Sequence, residues 1–499
     1  MKPRRWAGLV GGPLLAILLY AIVRDETLGH AGRATLSLMG WMGVWWLTEA
    51  IDVAATALLP LAVLPLTTFG AHASAGAAMK EAAAPYAHPF IALFLGGFVL
   101  ALAMERWGLH RRIALVTLRI VGPRPMSMIA GFMAITAVMS MWVSNTATTA
   151  MMLPIALSVS ALVTGEPRAA DAAAGRTRPE HFGLCLLLGI AYAASVGGIG
   201  TLIGTPPNVL LAGFLDSEYG TSITFVRWLG VGLPLVAVFV PLIWLLLTRV
   251  LYPIARSPIP GGRRLVAEQL ASLGPMKRGE WITLIVFMTT ALAWIFRPLI
   301  ARVAIGEMRP LAGLTDPGIA IVAALALFVI PTDLRTGTFA MNWESAKRLP
   351  WGILVLFGGG LSLAAAVSRH GVAEFFGQQA GGLGALPPIL ITIAITAGVI
   401  FLTELTSNTA TTATLLPILA GIAPTLGVPP LALLVPATVA ASCAFMMPVA
   451  TPPNAIVFGS GHVTIPQMCR AGLWLNLVGV VLVTVLTYAV ALPLLRAAG

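Results

Sequence analysis

Residues 144–150 read Ser-Asn-Thr-Ala-Thr-Thr-Ala, and residues 407–413 repeat the same seven residues. Each copy lies within apolar sequence and leads, four residues later, to a proline. A second motif, Thr-Pro-Pro-Asn, is also present twice, at residues 205–208 and 451–454. Polar, helix-breaking sequence is costly in lipid unless it is buried in protein or lines a cavity. Its presence at corresponding positions in two halves of a chain indicates the binding site of a membrane transporter.

The composition is that of an integral membrane protein. Of the 499 residues, 58% are hydrophobic and only 10% are charged, whereas a soluble globular domain carries roughly 25% charged residues. Apolar runs of about 20 residues can cross a hydrocarbon core of about 30 Å, and they predict about ten or more spanning helices. This composition excludes an ordinary soluble enzyme.

The net charge of +11 is typical of the excess of Lys and Arg in cytoplasmic loops between spans. No dense basic run is interleaved with aromatic residues, so we expect no nucleic-acid partner. Lys2, Arg4 and Arg5 precede the first apolar segment, which predicts a retained first helix and a cytoplasmic N-terminus rather than a cleaved signal peptide. Cysteine and histidine form no catalytic or transition-metal motif, so neither an enzyme nor a bound cofactor is predicted.

The duplication extends beyond the two motifs. Asn145 and Asn408 lie 263 positions apart, and so do Gly108 and Gly371. The constant offset indicates one ancestral unit that is used twice. Between the Thr-Pro-Pro-Asn motifs the offset is smaller, and we assign the difference to a polar insert around residues 164–181, predicted as an extramembrane loop.

We therefore divide the chain into four segments. Residues 1–79 are predicted to form N-terminal scaffold helices, 80–255 the first repeat, 256–344 a hydrophilic linker with further scaffold helices, and 345–499 the second repeat. Each repeat begins with a glycine-rich apolar segment.

These glycine-rich segments span residues 85–104 and 350–368. Glycine permits tight backbone turns, so we expect a re-entrant helical hairpin in each. The alternative is an ordinary glycine-rich packing helix.

The Ser-Asn-Thr motif suits an anion site. Ser, Asn and Thr favour helix caps over helix interiors, so Asn145 is expected to break a helix and the threonines after it to open the next half. A helix N-terminus carries about +0.5 charge and free N–H groups, and the copy at Ser407 supplies a second one. No Lys or Arg lies between Arg124 and Arg168 or between Arg369 and Arg470. The charge of a bound anion would then be met by helix ends, by hydroxyl groups or by cations that accompany the anion. The alternative is that the Ser and Thr side chains only form hydrogen bonds between helices.

The Thr-Pro-Pro-Asn motif suits a cation site. Two consecutive prolines remove two N–H donors and interrupt a helix. The carbonyl groups near Gly204 and Ala450 then lack their usual partners and can face Na+, which unwound carbonyls bind in transporters. Ser140 and Thr403 each lie one helical turn before a motif serine and add a hydroxyl beside each break.

The same residues resemble a known family. The stretch 441–457, Ala-Ser-Cys-Ala-Phe-Met-Met-Pro-Val-Ala-Thr-Pro-Pro-Asn-Ala-Ile-Val, is similar along its length to the signature of the divalent-anion/Na+ symporter family (DASS, solute carrier family 13 type), which includes bacterial dicarboxylate transporters. The resemblance implies an all-α membrane protein with eleven transmembrane helices and two re-entrant hairpins. It also implies an inverted two-fold repeat with broken helices, a homodimer in the inner membrane and elevator-type alternating access.

The resemblance further implies two sets of binding residues. For the substrate these are Ser144, Asn145, Thr146 and Thr205 from the first repeat, and Ser407, Asn408, Thr409, Thr451 and Pro452 from the second. For Na+ these are Ser140, Ser144, Asn145 and Gly204 in one site, and Thr403, Thr406, Asn408 and Ala450 in the other.

Both copies keep threonine as the third motif residue, which in the family that this chain resembles looks like the dicarboxylate pattern. The resemblance therefore implies Na+-coupled uptake of C4 dicarboxylates such as succinate, malate or fumarate. The alternatives are a Na+-independent dicarboxylate exchanger and a symporter for sulfate or another divalent anion. Glu404, beside Thr403, is either a proton or cation site, as intramembrane acids often are, or a structural hydrogen-bond acceptor.

Overall fold

The computed structural model describes residues 3–23, 28–68, 74–122, 124–164, 179–254, 262–305, 307–379 and 386–496. Most of the predicted polar insert around residues 164–181 and the start of the predicted linker at 256–261 lie outside the described residues. The described chain is mostly helical.

Twelve helices of the described chain lie between residues 3 and 245. They are α1 (Pro3–Ile22), α2 (Gly29–Thr48), α3 (Val53–Thr56), α4 (Leu59–Thr67), α5 (Ala75–Ala83), α6 (Pro89–Trp107), α7 (Leu109–Ile120), α8 (Pro125–Ser140), α9 (Asn145–Thr164), α10 (Pro179–Ile199), α11 (Pro206–Tyr219) and α12 (Phe225–Leu245). A 3-10 turn, Ala84–Ala87, precedes α6, and a π-helical turn, Leu246–Leu251, follows α12.

Twelve further helices form the rest of the described chain. They are α13 (Gly262–Ser272), α14 (Arg278–Ile300), α15 (Asp316–Val329), α16 (Trp343–Ala346), α17 (Trp351–Arg369), α18 (Val372–Gln379), α19 (Pro388–Thr403), α20 (Asn408–Ile422), α21 (Leu431–Ala441), α22 (Pro452–Gly459), α23 (Ile465–Leu486) and α24 (Leu492–Arg496). A π-helical turn, Thr487–Ala491, joins the last two. One small antiparallel hairpin pairs β1 (Pro331–Asp333) with β2 (Thr338–Phe339).

Proline starts the same helices in both halves. Pro125 begins α8 and Pro388 begins α19, while Pro206 begins α11 and Pro452 begins α22. The first helical position tolerates proline because its N–H would have no intrahelical partner there. The repeated sequence therefore starts equivalent helices at equivalent positions.

Seven helical segments of the described chain are long and apolar enough to cross a membrane, and several shorter apolar helices accompany them. An apolar stretch that is too long for one span contains more than one helix. The stretch from 126 to 163, for example, contains parts of α8 and α9.

The glycine-rich segments do not form re-entrant hairpins. Helix α6 runs without a break through Gly96 and Gly97, and α17 runs without a break through Gly358, Gly359 and Gly360. The prediction of hairpins in 85–104 and 350–368 is wrong. These glycines allow close helix packing instead, since Gly96 lies against the backbone of α15 and Gly359 against the backbone that follows α3.

Helix α8 runs in the same direction as α10. Met133 lies against Gly189, and one turn later Ala137 lies against Gly197. Residue numbers therefore rise together along the two helices. At 1.5 Å per residue, the 16 residues of α8 extend about 24 Å, less than the core of a bilayer of about 30 Å.

Helix α9 runs in the opposite direction along α10. Asn145 lies beside Gly198, near the end of α10, whereas Ser160 lies beside Gly183, near its start. Since α8 is parallel to α10 and α9 is antiparallel to it, the chain reverses between α8 and α9. The first Ser-Asn-Thr motif therefore lies at the tip of a helical hairpin.

The second motif lies at an equivalent tip. Thr392 donates to the Ala432 carbonyl oxygen at 3.2 Å and Thr403 to the Ala441 carbonyl oxygen at 2.9 Å, so α19 is parallel to α21. Helix α20 starts beside Thr403 at Asn408 and reaches the start of α21 through a short connection, so it runs back along α21. We refer to α8–α9 as the first hairpin and to α19–α20 as the second hairpin.

The Thr-Pro-Pro-Asn helices pack across the two halves. Helix α11, from the first half, contacts α20 and α21, whereas α22, from the second half, contacts α9 and α10. The two halves are thus interleaved around the breaks that carry the motifs.

Candidate functional site

Both hairpin tips face one large cavity. Its volume is about 1600 Å³, and its wall contains residues 144–146 and 407–409 from the two tips. The starts of α11 and α22 complete this part of the wall at residues 204–206 and 450–453. Four helix N-termini, two from each half, therefore meet at one space.

The structure brings the predicted substrate residues together. All nine lie on the wall of this cavity: Ser144, Asn145, Thr146, Thr205, Ser407, Asn408, Thr409, Thr451 and Pro452. Of the predicted Na+ residues, Gly204, Thr406 and Ala450 also line it, whereas Ser140 and Thr403 are fully buried behind the wall. Their roles as ligands remain predictions.

In the first half, Ser140 joins the hairpin to α10. Its Oγ lies 2.6 Å from Asn145 Oδ1 and 2.7 Å from the Ala194 carbonyl oxygen. Thr149 donates to the Asn145 carbonyl oxygen at 2.8 Å, and Ser144 Oγ accepts from the Ala147 N–H at 3.2 Å. These bonds fix the start of α9 and the direction of the Asn145 side chain.

The second half repeats this arrangement. Thr403 Oγ1 lies 2.8 Å from Asn408 Oδ1 and 2.9 Å from the Ala441 carbonyl oxygen. Thr412 donates to the Asn408 carbonyl oxygen at 2.9 Å. The hydroxyl of Thr406 is also engaged, since it donates to the Leu402 carbonyl oxygen and lies 2.7 Å from Thr411 Oγ1.

In each cluster one buried hydroxyl group faces two acceptor oxygens. A hydroxyl group carries one proton and can donate to one oxygen only. Ser140 nevertheless has two acceptor oxygens within 2.7 Å, and Thr403 has two within 2.9 Å. A set of hydroxyl, amide and carbonyl oxygens with unused lone pairs suits a hard cation. The donor sets therefore fit Na+.

The first cluster depends on a close backbone approach. Gly198, in α10, faces the Asn145 side chain and the Gly204 carbonyl oxygen. A Cβ atom at Gly198 would lie 2.7 Å from Asn145 Oδ1 and 3.1 Å from the Gly204 oxygen. Such distances are shorter than van der Waals contact, so only glycine allows this approach.

The asparagines of the Thr-Pro-Pro-Asn motifs form hydrogen bonds with the backbone that precedes each motif. Asn208 Nδ2 donates to the carbonyl oxygens of Gly198 and Thr201, at 3.2 and 2.8 Å. Asn454 Nδ2 donates to the equivalent carbonyl oxygens of Ala444 and Met447, both at 3.1 Å. Both asparagines are fully buried. They hold the unwound segments that contain Gly204 and Ala450 in place.

Glu404 is a structural acceptor at the tip of the second hairpin. Its Oε1 accepts from the N–H groups of Phe445 and Met446, at 2.7 and 2.9 Å, and from Asn476 Nδ2 at 2.8 Å. Its Oε2 accepts from the Met447 N–H at 3.0 Å. A carboxylate that accepts from four donors matches the structural alternative for Glu404. It fastens the hairpin tip to the unwound segment before Ala450.

The cavity wall also carries charged side chains from other parts of the chain. Arg4 and Arg5 of α1 and Arg348, before α17, line it together with Glu49 and Glu105. The prediction that an anion meets no fixed cation concerns the motif segments. It does not extend to the whole cavity, because cationic side chains distant in sequence also reach the wall.

Sequence reasoning missed several residues that build the site. The carbonyl groups of Ala194 and Ala441 complete the two oxygen clusters, and Asn208 and Asn454 hold the breaks. The asparagines could have been found, because each is the fourth residue of a duplicated motif. The two carbonyl groups carry no signal in the identity of their residues.

Comparison with known sequences gives a match over nearly the whole chain. A family model described as sodium:sulfate symporter transmembrane region matches residues 6–495. A protein named sodium-dependent dicarboxylate transporter SdcS, from Staphylococcus saprophyticus, is 40% identical over 494 residues, which cover 98% of this chain and 92% of that protein. A protein of the same name from Staphylococcus aureus is 41% identical over 484 residues, which cover 97% of this chain and 90% of that protein.

Two solved structures share the fold. The MtrF structure from Neisseria gonorrhoeae, described as an antimetabolite efflux pump, aligns with a TM-score of 0.59 at 13% identity, covering 99% of this chain and 97% of that one. The YdaH transporter of Alcanivorax borkumensis aligns with a TM-score of 0.53 at 12% identity, covering 97% and 96%. At such low identity the similarity shows the architecture alone.

Proposed function

Since this chain belongs to the sodium:sulfate symporter family, we propose that it is a secondary transporter that couples Na+ entry to the uptake of C4 dicarboxylates. Succinate, malate and fumarate are the expected substrates. The observation that carries this proposal is the pair of hairpin tips with matching hydrogen bonds that face one cavity. The curated relatives are named for sodium-dependent dicarboxylate transport, which supports both the ion and the substrate class.

The substrate would lie between the two tips. A C4 dicarboxylate has a negative charge at each end, and the starts of α9 and α20 each offer N–H groups and a partial positive charge. We assign Ser144, Asn145 and Thr146 to one carboxylate and Ser407, Asn408 and Thr409 to the other. Thr205, Thr451 and Pro452 would line the space between them.

The Na+ ions would lie beside the substrate, one at each break. We assign Ser140, Ser144, Asn145 and Gly204 to the first ion, and Thr403, Thr406, Asn408 and Ala450 to the second. Each asparagine then belongs to both an ion site and the substrate site. Binding a cation would hold the asparagine in place for the anion and add a positive charge next to it, which provides a physical basis for coupling.

We extend the proposal to the whole molecule. Residues 80–255 and 345–499 would form two inverted repeats between scaffold segments 1–79 and 256–344, with α8–α9 and α19–α20 as the re-entrant hairpins. The protein would be a homodimer in the inner membrane, with a cytoplasmic N-terminus, and would work by elevator-type movement.

The test is uptake of labelled succinate by the purified full-length protein in proteoliposomes. External Na+ is compared with external K+, with and without unlabelled succinate inside the vesicles. Uptake into empty vesicles that requires an inward Na+ gradient would support the symporter. Empty liposomes provide the background.

Two other outcomes would contradict parts of the proposal. Uptake that requires internal succinate and ignores Na+ would identify an exchanger, and Ser140 and Thr403 would then be structural hydroxyl groups. Competition by sulfate but not by malate or fumarate would change the substrate class while leaving the Na+ sites in place.

A further inference from the structure

One arginine connects the tip of the second hairpin to the N-terminal helices. Arg4, in the first turn of α1, donates from Nη2 to the Leu405 carbonyl oxygen at 3.1 Å. The same nitrogen donates to the Leu47 carbonyl oxygen. Leu47 lies in the last turn of α2, and Leu405 lies in the break between α19 and α20. The guanidinium group therefore bridges two segments that are far apart in the chain.

The carbonyl group of Leu47 lies in the last turn of α2, and that of Leu405 lies two residues after the end of α19. The last carbonyl groups of a helix lack intrahelical partners and carry the negative end of the helix dipole. A guanidinium group presents several donors and a positive charge to such groups. Since the contacts are to backbone atoms, the side chains of Leu47 and Leu405 do not determine them. The contact depends on the side chain of Arg4.

This contact links the hairpin to a wall of the cavity. Helices α1 and α2 pack along each other, and Arg4 and Leu405 both line the cavity that contains Ser407 and Asn408. Arg4 is exposed, and Leu405 is 59% exposed. The bond therefore lies at the exposed cavity wall and is not buried in the protein.

The first hairpin is held differently at the equivalent position. Trp142 corresponds to Leu405 by the repeat offset, and its ring packs against Phe225 and Phe287, with ring centroids 5.7 and 5.0 Å apart. One tip is thus secured by aromatic packing and the other by an exchangeable contact with an exposed cation. Glu404 still holds the second tip to residues 445–447, so it is the contact of this tip with α1 and α2, and not its contact with 445–447, that can break at low cost.

We propose that Arg4 is a positioning residue, which holds the tip of the second hairpin against the end of α2 in the conformation described and releases it when the tip moves. Transport would then break and re-form this contact in every cycle. The transport readout below rests on the proposed function, whereas the labelling readout does not.

The test uses Arg4→Ala, with Arg5→Ala as the matched control and Arg4→Lys as the conservative variant. Arg5 is the neighbouring arginine; its side chain is half exposed and lies 4.0 Å from Glu49. Lysine keeps the charge but presents a single ammonium group in place of the planar guanidinium, so Arg4→Lys should give an intermediate result.

The first readout is the rate at which maleimide labels Leu405→Cys in the purified full-length protein. The parent chain without this change gives the background from the native cysteines, two of which are buried. We expect Arg4→Ala to label about two- to ten-fold faster, as loss of one exposed, charge-assisted hydrogen bond implies. Arg5→Ala should label at the original rate.

The second readout is Na+-driven succinate uptake. Arg4→Ala should raise the KM for succinate by about two- to ten-fold and leave the amount of reconstituted protein unchanged. Equal labelling rates of Leu405→Cys with and without Arg4→Ala would overturn the proposal, whatever the result of the uptake assay. If no variant transports succinate but Arg4→Ala labels faster, the contact stands and the proposed function fails.

Discussion

Replacing Thr403 with valine tests the second cation site directly. Valine has nearly the shape of threonine, so Thr403→Val removes one oxygen and its proton while keeping the packing of a fully buried position. In the structure this hydroxyl lies within 2.9 Å of both Asn408 Oδ1 and the Ala441 carbonyl oxygen. The variant leaves those two oxygens in place without the group between them.

The size of the effect follows from the charge on the ion. Loss of an interaction with a charged partner costs about 1.5–3 kcal/mol, or about 10- to 150-fold in the binding constant of that ion. With two ions bound together, the half-saturating Na+ concentration varies as the square root of the product of the two constants. It should therefore rise about three- to twelve-fold.

The assay is initial succinate uptake as a function of external Na+ in proteoliposomes. Thr396→Val is the matched control, because Thr396 lies two turns earlier in α19, is equally buried, and makes an intrahelical bond of 2.7 Å to the Thr392 carbonyl oxygen. The control should keep the original Na+ dependence. If Thr403→Val keeps it as well, the hydroxyl is not an ion ligand and the second site has to be placed elsewhere.

Three further predictions follow from the same contacts. Asn145→Ala and Asn408→Ala should each abolish Na+-driven uptake with normal membrane insertion, because each asparagine would serve both ion and substrate; uptake near the original level in either variant would contradict the site. Glu404→Gln should lower the free energy of unfolding by about 1–3 kcal/mol, since an amide replaces a carboxylate that accepts from four donors. Thermal unfolding in detergent measures this loss of stability, and an unchanged unfolding midpoint would refute the structural role of Glu404. Gly198→Ala should raise the half-saturating Na+ concentration, because its Cβ would press on the Asn145 side chain, whereas Gly459→Ala, which meets nothing within 4 Å, should leave Na+ dependence unchanged.

The duplicated motifs, together with the family resemblance, predict which residues meet at the cavity. Asn145 and Asn408 break the helices because their neighbours favour caps, and the two prolines of each Thr-Pro-Pro-Asn motif stop the preceding helix. These are local effects, so they can be read from local sequence. The constant offset then placed the two breaks in equivalent positions.

The position of the hairpins could not be predicted in this way. The glycine clusters of α6 and α17 indicated turns, but glycine is as useful for close packing as for bending, and the neighbouring backbones decide between these roles. A helix break such as 141–144 is equally consistent with a straight helix that is interrupted and with a reversal of the chain direction. Only the packing of both arms on α10 distinguishes them.

Contacts between distant segments were also beyond prediction. Nothing in the sequence links Arg4 to residue 405, or Glu404 to the N–H groups of 445–447. Backbone acceptors and donors are present at every residue and leave no trace in residue identity. The sequence therefore does not decide the role of Glu404, whereas its four donors do.

The interleaved packing of α11 and α22 has an evolutionary consequence. Each Thr-Pro-Pro-Asn helix contacts the hairpin of the opposite half, so a single unit would contain a hairpin and a helix that do not complete each other. Such a unit could build these contacts only by exchanging its Thr-Pro-Pro-Asn helix with a second copy. The gene duplication that produced this chain would then have fused the two partners of an obligate, swapped pair. After the fusion the two halves would have been free to diverge. Residue 141, a methionine, corresponds by the repeat offset to residue 404, a glutamate, and illustrates this divergence.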